Sequence, residues 1–173
     1  MRAMRTLVAL LRGVNVGGAR RLAMSDLVRL CASCGFRDAR TYIQSGNVIF
    51  KTTDTASAAA QILDRAVSQH MGAPVGVLVR DCAQLSDVLR HNPFPGAAPA
   101  QVVVFFAPGP LNEAEFDGVT GPAGERVVAR GHELYVHYPE GQGRSKLRLP
   151  KSLGAATARN INTVGQLLER CSA

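Results

Sequence analysis

The loop from Arg12 to Gly18 has the residue types of an anion-binding site. It reads Arg-Gly-Val-Asn-Val-Gly-Gly and stands between an apolar run and a helical pattern, where α/β proteins commonly hold phosphate. Its glycines permit positive φ or close approach to a ligand, while Arg12 offers a charge and Asn15 an amide. The loop lacks the glycine spacing of a dinucleotide fingerprint and the lysine of a P-loop. A tight connection that needs glycine for geometry alone explains the sequence equally well.

A second candidate is the basic segment that precedes the expected last helix. No acidic residue occurs between Glu140 and Glu169, and the basic side chains there are Arg144, Lys146, Arg148, Lys151 and Arg159. Asn160 is a natural N-cap, so free N–H groups beside Arg159 would form an anion site, with Asn162 in the same turn. The alternative is that Asn160, Asn162 and Thr163 only cap the helix, while the basic side chains form a solvated face.

Cysteine and histidine show no catalytic or metal-binding pattern. Cys31 and Cys34 fall at the C-terminal end of a predicted helix, where the dipole disfavours a reactive thiolate. No second Cys-x-x-Cys accompanies them for zinc, and Cys82 and Cys171 are isolated. We therefore predict that all four cysteines are packing residues, and we expect no metal and no cofactor. No nucleophile motif of a familiar hydrolase is present, and the sequence leaves enzymatic activity open.

The elements that position these residues follow from hydrophobic periodicity. The first half predicts the order β-α-β-β-α-β, the ferredoxin-like unit of an α/β (α+β) fold. Its elements are a strand over 5–12, a helix from Met24, strands over 40–43 and 47–51, a helix over 56–71 and a strand over 74–80. A tight hairpin over 44–47 joins the second and third strands.

The second half predicts a related but partial unit, β-α-β-β-α. Its elements are a strand over 101–106, a short helix over 112–117, a hairpin of strands over 125–130 and 133–137, and a last helix from Ile161. A short helix over 81–90 and the proline-rich stretch 91–99 precede it. We expect units at 1–92 and 93–173, packed as one compact protein.

Composition bounds the class of protein without naming a reaction. The chain has 173 residues and a formal net charge of +7, with 46% hydrophobic and 19% charged residues. These values exclude a disordered chain, and the apolar runs are too short to span a membrane. The N-terminus has no signal-peptide pattern, so we expect a cytoplasmic protein. Because 17 of the 20 basic residues are arginine, the charge reflects a GC-rich genome as readily as an anionic partner.

Four motifs resemble a bacterial family known as domain of unknown function 1697. They are Thr6–Gly18, Thr41–Phe50, Asn92–Phe94 and Thr157–Val164. The second contains the sequence Tyr-Ile-Gln-Ser-Gly-Asn, and the fourth contains Thr-Ala-Arg-Asn-Ile-Asn. The last motif departs from the family, which usually has Trp where this chain has Ile161. The resemblance implies a small ferredoxin-like cytoplasmic protein without an established activity. No carboxylate or histidine occurs in these motifs, which favours ligand binding over acid–base catalysis.

Three hypotheses of function remain. The favoured one is a pocket for a small phosphate- or carboxylate-bearing ligand, lined by Arg12, Asn15, Tyr42, Ser45, Asn47, Arg159, Asn160 and Asn162. The second is binding of a nucleic-acid backbone through the segment 144–159, without the aromatic residues of an RNA-recognition sheet. The third is a non-catalytic protein that forms a homodimer, with Val102–Phe106 as a pairing strand if it lies at a sheet edge.

Overall fold

The computed structural model describes residues 1–18 and 20–173. The chain forms two compact units, one of residues 1–85 with 167–173 and one of residues 86–166. Each unit contains one four-stranded antiparallel sheet. Within the part of the chain that the structure describes, no helix is long and apolar enough to cross a bilayer.

The first unit has the predicted ferredoxin-like order. Its elements are β1 (Arg5–Leu11), α1 (Met24–Ser33), β2 (Arg37–Thr41), β3 (Asn47–Thr52), α2 (Ala56–Met71) and β4 (Val77–Asp81). The sheet order is β2-β3-β1-β4, and every pair is antiparallel. The chain then enters α3 (Cys82–Arg90). The fold class predicted from periodicity is confirmed.

The core of the first unit lies between one sheet face and the two helices. Leu7, Ala9 and Leu11 alternate along β1 and point to the same face, as the period of two in a strand requires. They pack against α1 and α2, whose buried residues include Leu27 and Leu63. Because β1 runs through the middle of this sheet, the loop that leaves its end is anchored on a buried strand.

The second unit repeats the strand order, but along the described residues 102–160 no α-helix lies between its four strands. Its strands are β5 (Val102–Phe106), β6 (Arg126–Arg130), β7 (Glu133–His137) and β8 (Thr157–Asn160), in the order β6-β7-β5-β8. A 3-10 turn over Glu113–Phe116 stands where α1 stands in the first unit, and α4 (Ile161–Ser172) follows β8. The predicted order β-α-β-β-α is corrected, because the fourth strand is present. Thr157–Asn160 has no apolar run, so the sequence did not indicate a strand.

Two further predictions change. β2 begins at Arg37 and not at Arg40, and a bulge between these residues leaves Asp38 at φ 52°. β5 lies between β7 and β8, so its main-chain groups are already paired in register. Pairing of this strand with a second copy is therefore excluded, while the homodimer stays a prediction.

The cysteines divide into two kinds. Cys82 and Cys171 form a disulfide with their Cα atoms 5.7 Å apart, although 89 positions separate them in sequence. The prediction that all four cysteines only pack is wrong for this pair, because sequence spacing does not reveal long-range proximity. Cys31 and Cys34 are free. Burial, and secondarily the charge of Cys34, raises the pKa of the Cys31 thiol to about 12, so this thiol is inert at neutral pH.

Candidate functional site

Asn15 joins the loop after β1 to the hairpin turn between β2 and β3. Its Nδ2 donates to the carbonyl oxygens of Leu22 (2.9 Å) and Gln44 (2.8 Å). Its Oδ1 accepts from the N–H of Leu22 at 2.8 Å. Asn15 has φ 56°, a conformation that asparagine tolerates better than most residues. Two of these bonds close the loop on Leu22, and the bond to Gln44 holds the loop against the turn.

The turn approaches the end of β1 at Gly46. The N–H of Leu11 donates to the Gly46 carbonyl at 2.8 Å. A Cβ on Gly46 would lie 2.6 Å from Val14 Cγ2 and 2.9 Å from Leu11 Cβ, and the residue has φ +89°. Both the space and the backbone conformation require glycine here.

The turn is also closed from within by Asn47. Its side chain is fully buried, and Nδ2 donates to the Tyr42 carbonyl and to Ser45 Oγ, both at 2.9 Å. The N–H of Tyr42 donates to the Asn47 carbonyl at 3.1 Å. Tyr42, Ser45 and Asn47 thus shape the turn that presents Gln44.

A surface cleft of about 420 Å³ opens between the loop, the turn and the start of α1. Its lining residues come from all three segments and are Asn15, Gly18, Arg21, Leu22, Ala23, Met24 and Gln44. The cleft lies within the first unit. It is placed where a phosphate would meet the first turn of a helix.

The cleft favours negative charge for two reasons. α1 begins after Ala23, which has no side-chain acceptor to cap the N–H groups of the first turn. Arg21 lines the same cleft, its side chain is exposed, and no ion pair of its guanidinium occurs among the residues that the structure describes. The carboxylate of Asp26 in that turn is paired with the guanidinium of Arg29. A guanidinium and the positive end of a helix therefore face one space.

The five predicted site residues of the first unit do not all line the cleft. Asn15 lines the cleft. Tyr42, Ser45 and Asn47 belong to the turn but are not among the cleft residues, and the Arg170 guanidinium stacks 4.2 Å from the Tyr42 ring centroid. Arg12 is exposed, its N–H donates to the Gly76 carbonyl at 3.0 Å, and it is not among the cleft residues.

The other three predicted site residues lie in the second unit. Arg159 is 7% exposed, and its Nη1 donates to Thr157 Oγ1 and to the Ala158 carbonyl, both at 2.8 Å. Burial lowers the pKa of its guanidinium to about 10. Asn160 caps α4, because its Oδ1 accepts from the N–H of Thr163 at 2.9 Å. Asn162 is exposed on the first turn of α4. A single pocket formed by all eight residues stays a prediction.

Six of the seven described lining residues were not among the predicted site residues, and the two of them with polar side chains are Arg21 and Gln44. Arg21 lies three positions before Met24, where the helical pattern begins, but nothing in its spacing distinguishes it from the other arginines. Gln44 belongs to the Thr41–Phe50 motif, whose predicted site residues are Tyr42, Ser45 and Asn47. Its role becomes visible only when Asn15 binds the main chain of the turn. Among residues 1–18 and 20–173, no group of three His, Cys, Asp or Glu side chains could hold a metal ion.

Comparison with known proteins gives a family and a fold. The sequence profile of a family described as "Protein of unknown function (DUF1697)" matches residues 4–135. No protein among the curated sequences compared matches the chain. The solved structure of conserved bacterial protein SP0830 from Streptococcus pneumoniae aligns with a TM-score of 0.78, over 98% of this chain and 99% of that chain. The sequence identity is 19%, so this likeness concerns the fold alone.

Proposed function

The chain belongs to the DUF1697 family of proteins of unknown function, and from that premise we propose that it binds a small anionic ligand in the cleft at the start of α1. The ligand has a phosphate or carboxylate group. The observation that supports this proposal is the cleft of about 420 Å³ that contains the Arg21 guanidinium beside Asn15 and Gln44. Arg21 would pair with the anion, and the uncapped N–H groups of α1 would donate to it.

The composition of the cleft favours binding over acid–base chemistry. None of its described lining residues is Asp, Glu, His or Cys, so none is a common general acid, general base or nucleophile. The volume is within the roughly 300–1,000 Å³ of ordinary small-molecule sites. A cleft of this volume could therefore hold a sugar phosphate or a mononucleotide, with the phosphate group at Arg21.

The test is thermal unfolding of the full chain with phosphate, sugar phosphates, mononucleotides and small carboxylates. A ligand at about 100 times its Kd adds about 2.7 kcal/mol, which raises the Tm of a chain this size by roughly 5–10 °C. We expect Arg21→Ala to abolish the shift. Arg12→Ala is the matched control, because it removes an exposed arginine that is not in the cleft. Absence of any shift, or a shift that survives Arg21→Ala, contradicts the proposal.

The sequence also favours Arg159 as part of the site, and the same assay tests that assignment. Arg159 is buried and bonded to its own strand, so its removal destabilises the second unit whether or not it binds ligand. The informative quantity is therefore the ligand-induced shift measured from the Tm of the variant itself. A full shift in Arg159→Gln, which has no positive charge, removes Arg159 from the ligand site.

A second candidate function is supported by the segment between β7 and β8. Its four exposed cations have no ion pair among the described residues and are Arg144, Lys146, Arg148 and Lys151. Such a segment could bind a nucleic-acid backbone. Filter binding with single- and double-stranded oligonucleotides tests this, because affinity should fall steeply as salt rises. Replacement of the four residues by Gln should abolish oligonucleotide binding, whereas Arg21→Ala should retain it. That result would favour nucleic-acid binding over the binding of a small anion in the cleft.

A further inference from the structure

We propose that Cys82 and Cys171 form a reversible thiol-exchange site that reacts with low-molecular-weight disulfides and thiols. The bond joins the first residue of α3 to the last turn of α4, and both residues belong to the first unit. Cys82 is the more accessible partner, since it is half-buried while Cys171 is buried. The exchange itself does not depend on the proposed ligand.

The two cysteines differ in ways that assign their roles. Cys82 is the first residue of α3, and the preceding residue, Asp81, caps this helix. Asp81 Oδ1 accepts from the Gln84 N–H at 2.8 Å, and the Asp81 N–H donates to Gln84 Oε1 at 2.9 Å. The dipole at the helix N-terminus favours a thiolate at Cys82, whereas the neighbouring Asp81 carboxylate acts in the opposite direction. Cys171 lies in the last turn of α4, where the dipole has the opposite sign. Cys82 is therefore the attacking thiolate, and Cys171 resolves the intermediate.

Thiol exchange is confined to Cys82 and Cys171 because the other two cysteines have raised thiol pKa values. Cys31 is fully buried in the core with its pKa raised to about 12, and burial also raises the pKa of Cys34. Both shifts disfavour the thiolate form that attacks a disulfide at neutral pH. An incoming disulfide therefore meets one reactive cysteine, and wrong pairing is disfavoured.

The reaction balances as two successive exchanges with a disulfide R–S–S–R such as oxidised glutathione. The Cys82 thiolate attacks one sulfur of R–S–S–R, and R–S⁻ leaves and takes a proton. The Cys171 thiol then loses its proton, its sulfur attacks Cys82 Sγ, and the second R–S⁻ leaves and is protonated. Two cysteines are oxidised by two electrons, and R–S–S–R is reduced to two R–SH. Reduction by R–SH is the reverse, with R–S⁻ attacking Cys82 Sγ.

Side-chain contacts connect the Cys82–Cys171 disulfide to the turn that borders the cleft. The residue before Cys171 is Arg170, whose guanidinium stacks on Tyr42, and Arg40 Nη2 donates to the Arg170 carbonyl at 2.8 Å. Tyr42 in turn is bonded to Asn47 across the turn that contains Gln44. When the disulfide opens, the last turn of α4 loses its covalent restraint, and non-covalent contacts such as these hold it to the turn. We expect the 42–47 turn to be more mobile in the reduced protein.

The test equilibrates the full chain in native buffers of reduced and oxidised glutathione, followed by acid quench, alkylation and mass spectrometry. We expect both redox forms, interconverting with the glutathione ratio, with circular dichroism of a folded protein throughout. Cys171→Ser should accumulate one glutathione on Cys82, whereas Cys82→Ser should accumulate little on Cys171. Cys34→Ser is the matched control and should titrate as the unchanged chain does. Hydrogen exchange of residues 42–47 should be on the order of tenfold faster after reduction.

Two results overturn the proposal. If the bond opens only after denaturant is added, it is a structural crosslink and not an exchange site. If Cys171→Ser acquires no glutathione, Cys82 is not the attacking thiolate. The titration of the unchanged chain needs no substitution, so it decides the question even if a variant fails to fold. Loss of phosphate binding in Arg21→Ala leaves this outcome unaffected, so the two proposals fail separately.

Discussion

Single residues decide how closely the loop after β1 and the hairpin turn approach each other. We expect Gly46→Ala to lower the free energy of unfolding by about 2–5 kcal/mol, because a Cβ would overlap Val14 and Leu11 and the residue would keep a positive φ. Gly35→Ala is the matched control, since it also has positive φ but nothing lies within 4 Å of its added Cβ. It should cost only about 1–2 kcal/mol. Urea unfolding measures both, and equal losses would mean that the Val14 contact is unimportant.

A buried carboxylate makes the second unit sensitive to acid. Glu125 is 2% exposed, Oε2 accepts from the Ala123 N–H at 2.9 Å and Oε1 from Ser145 Oγ at 3.0 Å. Burial alone would raise the pKa of Glu125, but main-chain donors at Glu125 and Ala123 and the Ser145 hydroxyl together lower it below 4.5. Because the folded pKa is below the unfolded one, Glu125 stabilises the fold above the unfolded pKa, and this contribution is lost as pH falls through the folded pKa.

Replacing Glu125 should remove that dependence. We expect Glu125→Gln to have a lower Tm at pH 7, because an amide cannot accept with both of its terminal atoms. Its Tm should then fall less than that of the unchanged chain as the pH is lowered from about 5 to 3. Glu140→Gln is the control, since Glu140 is exposed and should leave both quantities unchanged. Parallel Tm–pH curves for the unchanged chain and Glu125→Gln would contradict this role.

At the scale of elements, the two helices of the first unit begin differently. The N-cap of α2 is Thr55, whose Oγ1 accepts from the Ala58 N–H at 3.1 Å, whereas the N-cap of α1 is Ala23, which cannot accept. We expect Ala23→Ser to stabilise the protein by about 1 kcal/mol, because it satisfies an N–H of the first turn. The same bond competes with an anion in the cleft. Phosphate binding should therefore weaken by about fivefold, which corresponds to about 1 kcal/mol.

Thr55→Ala is the matched control for that prediction. It removes the cap of α2, so it should destabilise the protein by about 1 kcal/mol and leave phosphate binding unchanged. Chemical unfolding and a phosphate titration on the same samples measure the two effects. If Ala23→Ser stabilises the protein without weakening phosphate binding, the N–H groups of α1 do not contact the ligand.

The same elements show what the sequence could predict. The apolar runs of β1 and β3 and the helical apolar periods of α1 and α2 match their burial, so the sequence located these elements. β8 could not be located in this way, because its stability comes from pairing with β5 and not from an apolar run of its own. In the cleft, Asn15 followed from its residue type and loop. Arg21 and the Cys82–Cys171 bond depend on which distant segments meet, and a single sequence does not contain that information.

At the scale of the whole molecule, the net charge of +7 gives little indication of function. Arg12 and Arg21 stand in the same loop and contribute equally to that charge, but only Arg21 lines the cleft. Arg159 is buried and bonded to Thr157 and Ala158. The placement of individual cations beside a concave surface therefore matters more for recognition of a small anion than their sum.

The chain passes between its two units inside helices, which predicts a single cooperative unfolding transition. The unit boundaries fall at 85/86 within α3 and at 166/167 within α4. A helix of this length loses most of its stability when half of it unwinds, since each part supplies the hydrogen-bonded turn that nucleates the other. Unfolding of either unit therefore removes helical residues from the other. We expect calorimetry to give one peak with equal calorimetric and van't Hoff enthalpies.

Gly165 lies beside the boundary in α4 and allows this coupling to be tested. Gly165→Pro should interrupt the helix, at a cost of about 3 kcal/mol, and separate the single peak into two or broaden it. Gly165→Ala is the matched control, because no atom lies within 4 Å of the added Cβ. It should stabilise the protein by about 0.5–1 kcal/mol and raise the Tm while keeping one peak. Two resolved transitions in the unchanged chain would show that the shared helices do not couple the units.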